Sequence, residues 1–437
     1  MNADILITNA SELLTCKASN FNKPKFGKEL SDLGIIKDGA IATKDGKIIF
    51  AGKSSEADFN AKNIINAKDR VVMPGFVDCH THAVFAGSRE DEFLKKQQGI
   101  AFLDILKQGG GILSTVEKTR CASKEELFQA SKKHLKRMIE YGTTTIEIKS
   151  GYGLNFEDEK KILEVASNLQ EKLPIDIVRT YLGAHTVPKN IKREDYIKEV
   201  LSSLERIKPY SEFCDVFCEK GVFSVEETRE ILIHAKKLGF KLKLHSEQNN
   251  LLHSAELAGE LNATSADHLE YISPRGIEAL VKNGVIGVLL PGVPFYLMEE
   301  KYAPARELIN KGVAIAIASD FNPGSCPSFN MQLMISLACL KMNLLPGEAI
   351  NASTINAAFA IDRAHDVGSL ETGKKADIII LDIENHNQLP YYFGINLVEK
   401  VIKSGKVIFS KEKTHSYKYA SQRLVCPLAE NPNQNNT

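Results

Sequence analysis

Residues 74–82 read PGFVDCHTH, an apolar run that stops at two histidines one residue apart. A β-strand turns alternate side chains to opposite faces, so Asp78, His80 and His82 share one face while Cys79 and Thr81 point away. Two imidazoles so placed can reach one metal ion. With 11 histidines in 437 residues, composition alone would produce about 0.3 such pairs. The pair therefore carries weight only if the rest of the chain supplies further ligands at the ends of other strands.

Seven more runs of the same apolar or β-branched character follow: TTTIEIKS, IDIVRTYLGAH, FCDVFCE, KLKLHSE, ATSADH, VIGVLLPG and VAIAIASD. Most are separated by segments with helical spacing, such as EELFQASKKHLKRMIEYG and VEETREILIHAKKLGF. Strand and helix alternating eight times in about 260 residues predicts an α/β fold, a (β/α)8 TIM barrel over 69–361. A doubly wound sheet would also alternate, but the polar residues favour closure because they fall at the strand ends. His80 and His82 end the first run, Lys149 the second, His185 the third, Glu219 the fourth, His245 the fifth, His268 the sixth and Asp320 the eighth. In a closed barrel these ends meet at the C-terminal face. Three imidazoles and a carboxylate from this set suit a borderline divalent ion such as zinc, with a position left for water.

Outside the barrel, ADILITNA, GAIATKDG and KIIFAGK near the start are β-like, and KADIIILDI and KVIKSGKVIFSKEK repeat the pattern near the end, where KSGKVIF echoes KDGKIIF. A small composite β-sandwich domain built from residues 1–68 and 362–420 is expected. The tail 428–437 has little to bury and is expected to be disordered. The composition is that of a globular protein, 43% hydrophobic and 25% charged, and 55 basic side chains balance 55 acidic ones. That balance argues against nucleic acid or an anionic membrane surface as partner, and leaves a small molecule. Neither a signal peptide nor an apolar run of membrane-spanning length is read, so a soluble, cytoplasmic protein is expected. The eight cysteines are irregularly spaced and Cys214 and Cys218 lie too far apart along one strand for a disulfide, which predicts reduced, mostly buried thiols. His134, His234, His253, His365, His386 and His415 fall in helices or the C-terminal part and are read as surface or satisfied-core residues. Asp362 and Asp366 are read as helix-capping residues, and GGG at 109–111 as a flexible loop over the barrel mouth.

The motifs HTHAVFAGSREDEF, GGGILSTVEKTR, KSGYGL, TYLGAHTVP, KLHSEQ, SADHLEYIS, VLLPGVPFYL and ASDFNPGSCPS, in this order over 74–328, resemble the amidohydrolase superfamily and, within it, the imidazolonepropionase family. The resemblance implies one metal ion per chain, zinc preferred and iron possible, on His80, His82, His245 and Asp320. It implies that Arg89, Tyr152, His185, Gln248, Asn322, Gly324 and Ser325 bind the substrate, with the Arg89 fork suited to a planar carboxylate. It also implies a homodimer. In some members the residue three after the metal-binding His of KLHSEQ is a Glu proposed as general base; here Gln248 stands there and Glu247 one place earlier. Gln cannot take a proton, so Glu247 and Asp320 are the candidate bases.

The reaction implied is hydrolytic opening of the lactam ring of 4-imidazolone-5-propanoate to N-formimidoyl-L-glutamate, a step of histidine degradation. His268 or His185 would donate to the developing oxyanion. Another cyclic amidase or ring deaminase of the superfamily is the alternative, and a non-catalytic assembly protein with the same barrel a remote one.

Overall fold

The computed structural model describes residues 1–411. All eight apolar runs form strands, and their order in the sheet is their order in the chain. They are β6 (Phe76–Asp78), β7 (Thr143–Lys149), β8 (Asp176–Ala184), β9 (Phe213–Cys218), β10 (Lys241–Ser246), β11 (Ser265–His268), β12 (Ile286–Leu289) and β13 (Ile315–Ile317). Neighbours are parallel throughout. The ring closes just past the last strand. Thr81 bridges Phe321 in parallel, the Asp320 N–H donates to His80 O at 3.0 Å, and the His82 N–H donates to Phe321 O at 2.9 Å. Closure thus ties the two histidines to the aspartate through main chain. Asp78 lies on this seam and accepts from Ser319 N–H at 2.9 Å and Ser319 Oγ at 2.6 Å. The face-sharing expected from alternation therefore does not take Asp78 to the metal cluster.

The strands before and after the barrel are β1 (Asn2–Leu14), β2 (Ile35–Lys44), β3 (Lys47–Lys53), β4 (Asn60–Asn66), β5 (Val71–Pro74), β14 (Ile378–Leu381), β15 (Val398–Lys403) and β16 (Lys406–Ser410). They form one eight-stranded sheet, in which β5 joins β14 from the far end of the chain to β1 from the beginning. The sheet wraps a core of Ile7, Leu13, Ile41, Val72, Ile378 and Ile402. The echo between KDGKIIF and KSGKVIF has a structural cause. Both are two-residue hairpin turns with two successive positive φ angles, Asp45 and Gly46 at 51° and 78°, Ser404 and Gly405 at 46° and 70°, the geometry that matches strand twist. The turns pack on one another: a Cβ on Gly405 would lie 3.2 Å from Gly46 Cα.

Two local expectations change. The glycine run at 109–111 is not an open loop: the segment after β6 forms helices Glu90–Gln97, Phe102–Lys107 and Ile112–Cys121, and Gly111, at φ 83°, starts the third. Its N–H donates to Glu92 Oε1 at 3.0 Å, which anchors the run. Neither Asp362 nor Asp366 caps a helix. Asp362 pairs with Lys241 and Asp366 faces His365, because both follow the end of helix Ile355–Ala360 rather than precede a start. The polar stretch at 17–33 is also part of the packing, with Leu30 and Leu33 in the core and the Lys25 main chain paired in both directions with the Asn356 amide. His134 packs against Phe85 and Phe321, while His234, His253 and His365 are exposed. The tail 428–437 and His415 lie outside the described residues. Among those described, seven cysteines are free and five of them buried, and no helix is long and apolar enough to cross a membrane.

Candidate metal centre and active site

Five buried side chains meet at the C-terminal mouth: His80 and His82 after β6, His245 from β10, His268 from β11 and Asp320 after β13. The His80 ring centroid lies 4.5 Å from His245 and 5.5 Å from His82 and His268. Asp320 Oδ1 stands 3.3 Å from His82 Nε2 and 3.5 Å from His80 Nε2. The donor atoms fall into two groups that share His80, one with His245 and His268, the other with His82 and Asp320, each set lying within 4.8 Å. Burial holds His80 and His82 well below the usual imidazole pKa, and His268 at about 3. Neutral rings keep a lone pair available. His80 Nε2 and Asp320 Oδ1 are buried with no hydrogen-bond partner among the described residues, an arrangement costly unless something else satisfies them. The donors fit a divalent cation that takes imidazole nitrogen and carboxylate oxygen.

Special backbone builds this mouth. Glu247, His268, Leu269 and Asp320 all have positive φ, at 58°, 83°, 74° and 49°. Each such residue costs on the order of 1–3 kcal/mol, and such strain gathers at functional sites. The turn at Glu247 ends strand alternation, and this governs where its carboxylate goes. Glu247 Oε1 accepts from Ser254 N–H at 2.8 Å, at the start of helix Ser254–Glu260, so the carboxylate faces that helix and is absent from both donor groups. Glu247, read as a candidate base, is thus held at helix Ser254–Glu260 and stands outside both donor groups. Glu219 is likewise engaged, accepting from Lys220 N–H, Asn249 N–H and the Asn250 amide. Gln248 is half-buried, and its amide makes no hydrogen bond among the described residues.

Tyr152 sits on KSGYGL, which is anchored from below. Glu159 Oε2 accepts from Gly151 N–H at 2.8 Å, and its Oε1 from Gly153 and Leu154 N–H at 2.7 Å each. The Tyr152 ring faces His82 and His185 at 5.8 and 5.6 Å, and burial raises its hydroxyl pKa, so it stays a donor. His185 Nδ1 lies 3.0 Å from Gly151 O. A carbonyl only accepts, so Nδ1 carries the proton and Nε2 of the neutral ring is an acceptor. His185 therefore cannot be the oxyanion donor expected from its position.

Arg89 Nη2 donates to Glu92 Oε2 at 2.7 Å, and its guanidinium lies against Gly324, where a Cβ would stand 2.0 Å from Nη1. Arg89 Nε is buried without a partner. Asn322 is fully engaged in its own turn. Its Oδ1 accepts from Gly324 and Ser325 N–H, and its Nδ2 donates to Asp320 O and Ser325 Oγ. Asn322 shapes the loop that carries Gly324 and Ser325 and has no polar group left for a ligand.

Behind the rings stand residues that strand-end reasoning missed. Asp267 Oδ2 lies 2.6 Å from His80 Nδ1, and Asp215 Oδ2 lies 2.9 Å from His245 Nδ1. Their signal was there, a carboxylate inside each of FCDVFCE and ATSADH, where a buried strand has no use for charge. Glu270, two residues after His268, is buried with Oε2 4.0 Å from His268 Nδ1, and burial raises its pKa well above the usual range.

Residues 71–408 match the amidohydrolase family model. Curated relatives include the imidazolonepropionases of Alkaliphilus oremlandii, 49% identical over 94% of this chain and 99% of the relative, and of Staphylococcus saprophyticus, 48% identical over 93% and 97%. Among solved structures, an adenosine deaminase from Xanthomonas campestris with bound zinc matches with a TM-score of 0.70 at 18% identity, covering 93% of each chain. A 5-methylcytosine deaminase from Klebsiella pneumoniae matches with a TM-score of 0.71 at 15% identity, covering 94% of this chain and all of the other. At these identities the solved structures speak for the fold alone.

Proposed function

The chain belongs to the amidohydrolase family and, within it, to the imidazolonepropionases, and from that premise we propose how its residues hydrolyse the lactam C–N bond of 4-imidazolone-5-propanoate to give N-formimidoyl-L-glutamate. The observation that carries the reading is the juxtaposition at one barrel mouth of a buried imidazole and carboxylate cluster with an arginine lying against Gly324.

His80, His82, His245 and Asp320 would hold one divalent ion, zinc for preference and iron in the same donor set. Such an ion supplies Lewis acidity and a bound water of pKa about 7. One ion is favoured over two because the Glu219 oxygens are already engaged. Arg89 takes the propionate carboxylate through guanidinium N–H groups left open beside Nη2, which Glu92 holds. His185 Nε2 accepts a ring N–H, and the Tyr152 hydroxyl donates to the substrate. His268, neutral at pH 7, donates to the carbonyl oxygen as charge grows there. Asp320 takes the proton of the attacking water at the carboxylate oxygen that does not hold the ion and returns it to the departing ring nitrogen. Free, mostly buried thiols agree with a reducing, cytoplasmic setting, and a homodimer is part of the same reading, checked by light scattering.

The test is to generate imidazolonepropionate enzymatically from urocanate and follow its ultraviolet absorbance with and without the metal-loaded protein. Accelerated loss over spontaneous decay is expected, and no acceleration would overturn the substrate.

A further inference from the structure

Five charged side chains with no solvent exposure lie beneath the imidazole cluster: Glu147, Lys149, Asp215, Lys243 and Asp267. Burying charges is expensive, and a group this large persists only if its members satisfy one another. Lys149 Nζ stands 2.7 Å from Asp215 Oδ2, 3.0 Å from Glu147 Oε2 and 3.5 Å from Asp267 Oδ2. Two of these oxygens are the ones that face the metal-binding rings. Asp215 Oδ2 is the atom 2.9 Å from His245 Nδ1, and Asp267 Oδ2 is the atom 2.6 Å from His80 Nδ1. One ammonium group therefore bridges the two carboxylates that orient two different ligands.

Lys243 is placed differently. Its Nζ donates to the carbonyls of Cys79 and Ala360 at 3.2 and 3.3 Å and stays 3.8 Å from Asp267 and 3.6 Å from Glu147. It makes no ion pair with Asp215 among the described residues. The two lysines bury equally but differ in what they touch, which separates general charge balance from ligand orientation.

We infer that Lys149 is a positioning residue of the metal centre: it fixes the Asp215 and Asp267 carboxylates beside Nδ1 of His245 and His80, so that both rings turn Nε2 to the same point. An acceptor behind a ligating imidazole sets its tautomer, its orientation and its basicity. Without the ammonium, Asp215 and Asp267 repel each other and Glu147 across a dry space, and a carboxylate that swings away no longer holds its ring. The inference rests on the reading of His80 and His245 as ligands.

The experiment uses the full chain stripped of metal and titrated with Co2+ and Zn2+ against a competing chelator. The unaltered chain is expected to bind close to one equivalent; if it binds none, the ligand assignment itself fails, independently of Lys149. For Lys149→Met the expected result is a 10- to 100-fold weaker metal Kd, the range typical for loss of groups behind a ligand, together with altered visible bands of the Co2+ form. Lys243→Met is expected to lower the melting temperature while shifting metal affinity far less. A Lys149→Met protein that melts earlier yet binds metal as tightly as the parent, with the same Co2+ spectrum, would overturn the inference. Should that variant not fold, Lys149→Gln, which keeps a donor toward Asp215 while removing the charge, is judged on the same affinity and spectrum.

Discussion

In the proposed metal centre His245 couples a donor atom on one side of its ring to a carboxylate on the other, so its replacement removes a donor that no neighbour can supply. His245→Ala is expected to leave metal content far below one equivalent after dialysis, measured by elemental analysis, and near-stoichiometric metal would refute the assignment. Arg89 tests the other end of the site. In the proposed site its guanidinium meets the propionate group and not the reacting carbonyl, so Arg89→Ala should raise KM at least tenfold with kcat changed much less, and the reverse pattern would count against a carboxylate clamp. At this scale the sequence was legible where chemistry coincided with a strand end. His80, His82, His245, His268 and Asp320 were read in this way, and the structure brings their side chains together. Where the Glu247 carboxylate goes was not legible, because its φ of 58° breaks strand alternation. Asp215, Asp267 and their pairing with Lys149 were hidden because the neighbours that give those charges meaning lie on other strands, 30, 66 and 187 residues away for the His245–Asp215, Lys149–Asp215 and His80–Asp267 contacts.

At the level of elements, the eight strands were readable because each is a short apolar run bounded by helical spacing, and closure needed only the geometry of parallel pairing. The stretch 90–121 was not readable, since short helices with exposed apolar residues such as Phe93 and Leu94 carry no clear period. The KSGYGL loop shows how one element positions another. Glu159, from the first turns of helix Phe156–Lys172, binds three main-chain N–H groups of the loop, which requires close approach. A Cβ on Gly153 would come within 2.3 Å of Glu159 N, and one on Gly151, at φ 113°, within 2.7 Å of His185 Nδ1. Gly153→Ala must therefore lift the loop off the helix and displace Tyr152. The expected outcome is at least a tenfold fall in kcat/KM and a stability loss of about 1–3 kcal/mol, the cost of leaving a buried carboxylate unsatisfied, read by urea unfolding. Full activity in that variant would show that Tyr152 need not stand where the loop holds it.

Across the whole molecule, the two ends of the chain are joined in one sheet, and a buried carboxylate marks the joint. Glu12 of β1 accepts from His386 N–H at 2.8 Å, lies 2.9 Å from His386 Nδ1 and pairs with Lys37 at 2.7 Å. Burial alone would raise its pKa, but the His386 and Lys37 hydrogen bonds outweigh burial and bring it from 4.5 down to about 2. A carboxylate held below its unfolded pKa contributes stability that is complete above about 4.5 and drains away as pH falls toward 2. Acid should then loosen the junction between the N- and C-terminal strands. The paired KDGK and KSGK hairpins hinted at this junction, since two like turns in one chain can stack, but nothing local in the sequence says that Glu12 meets His386 across 374 positions. In unfolding measured from pH 6 to pH 2, Glu12→Gln should start less stable than the parent, and its stability should fall less steeply between pH 4.5 and 2. Parallel curves for the two proteins would mean that the acid sensitivity of the sheet has another source.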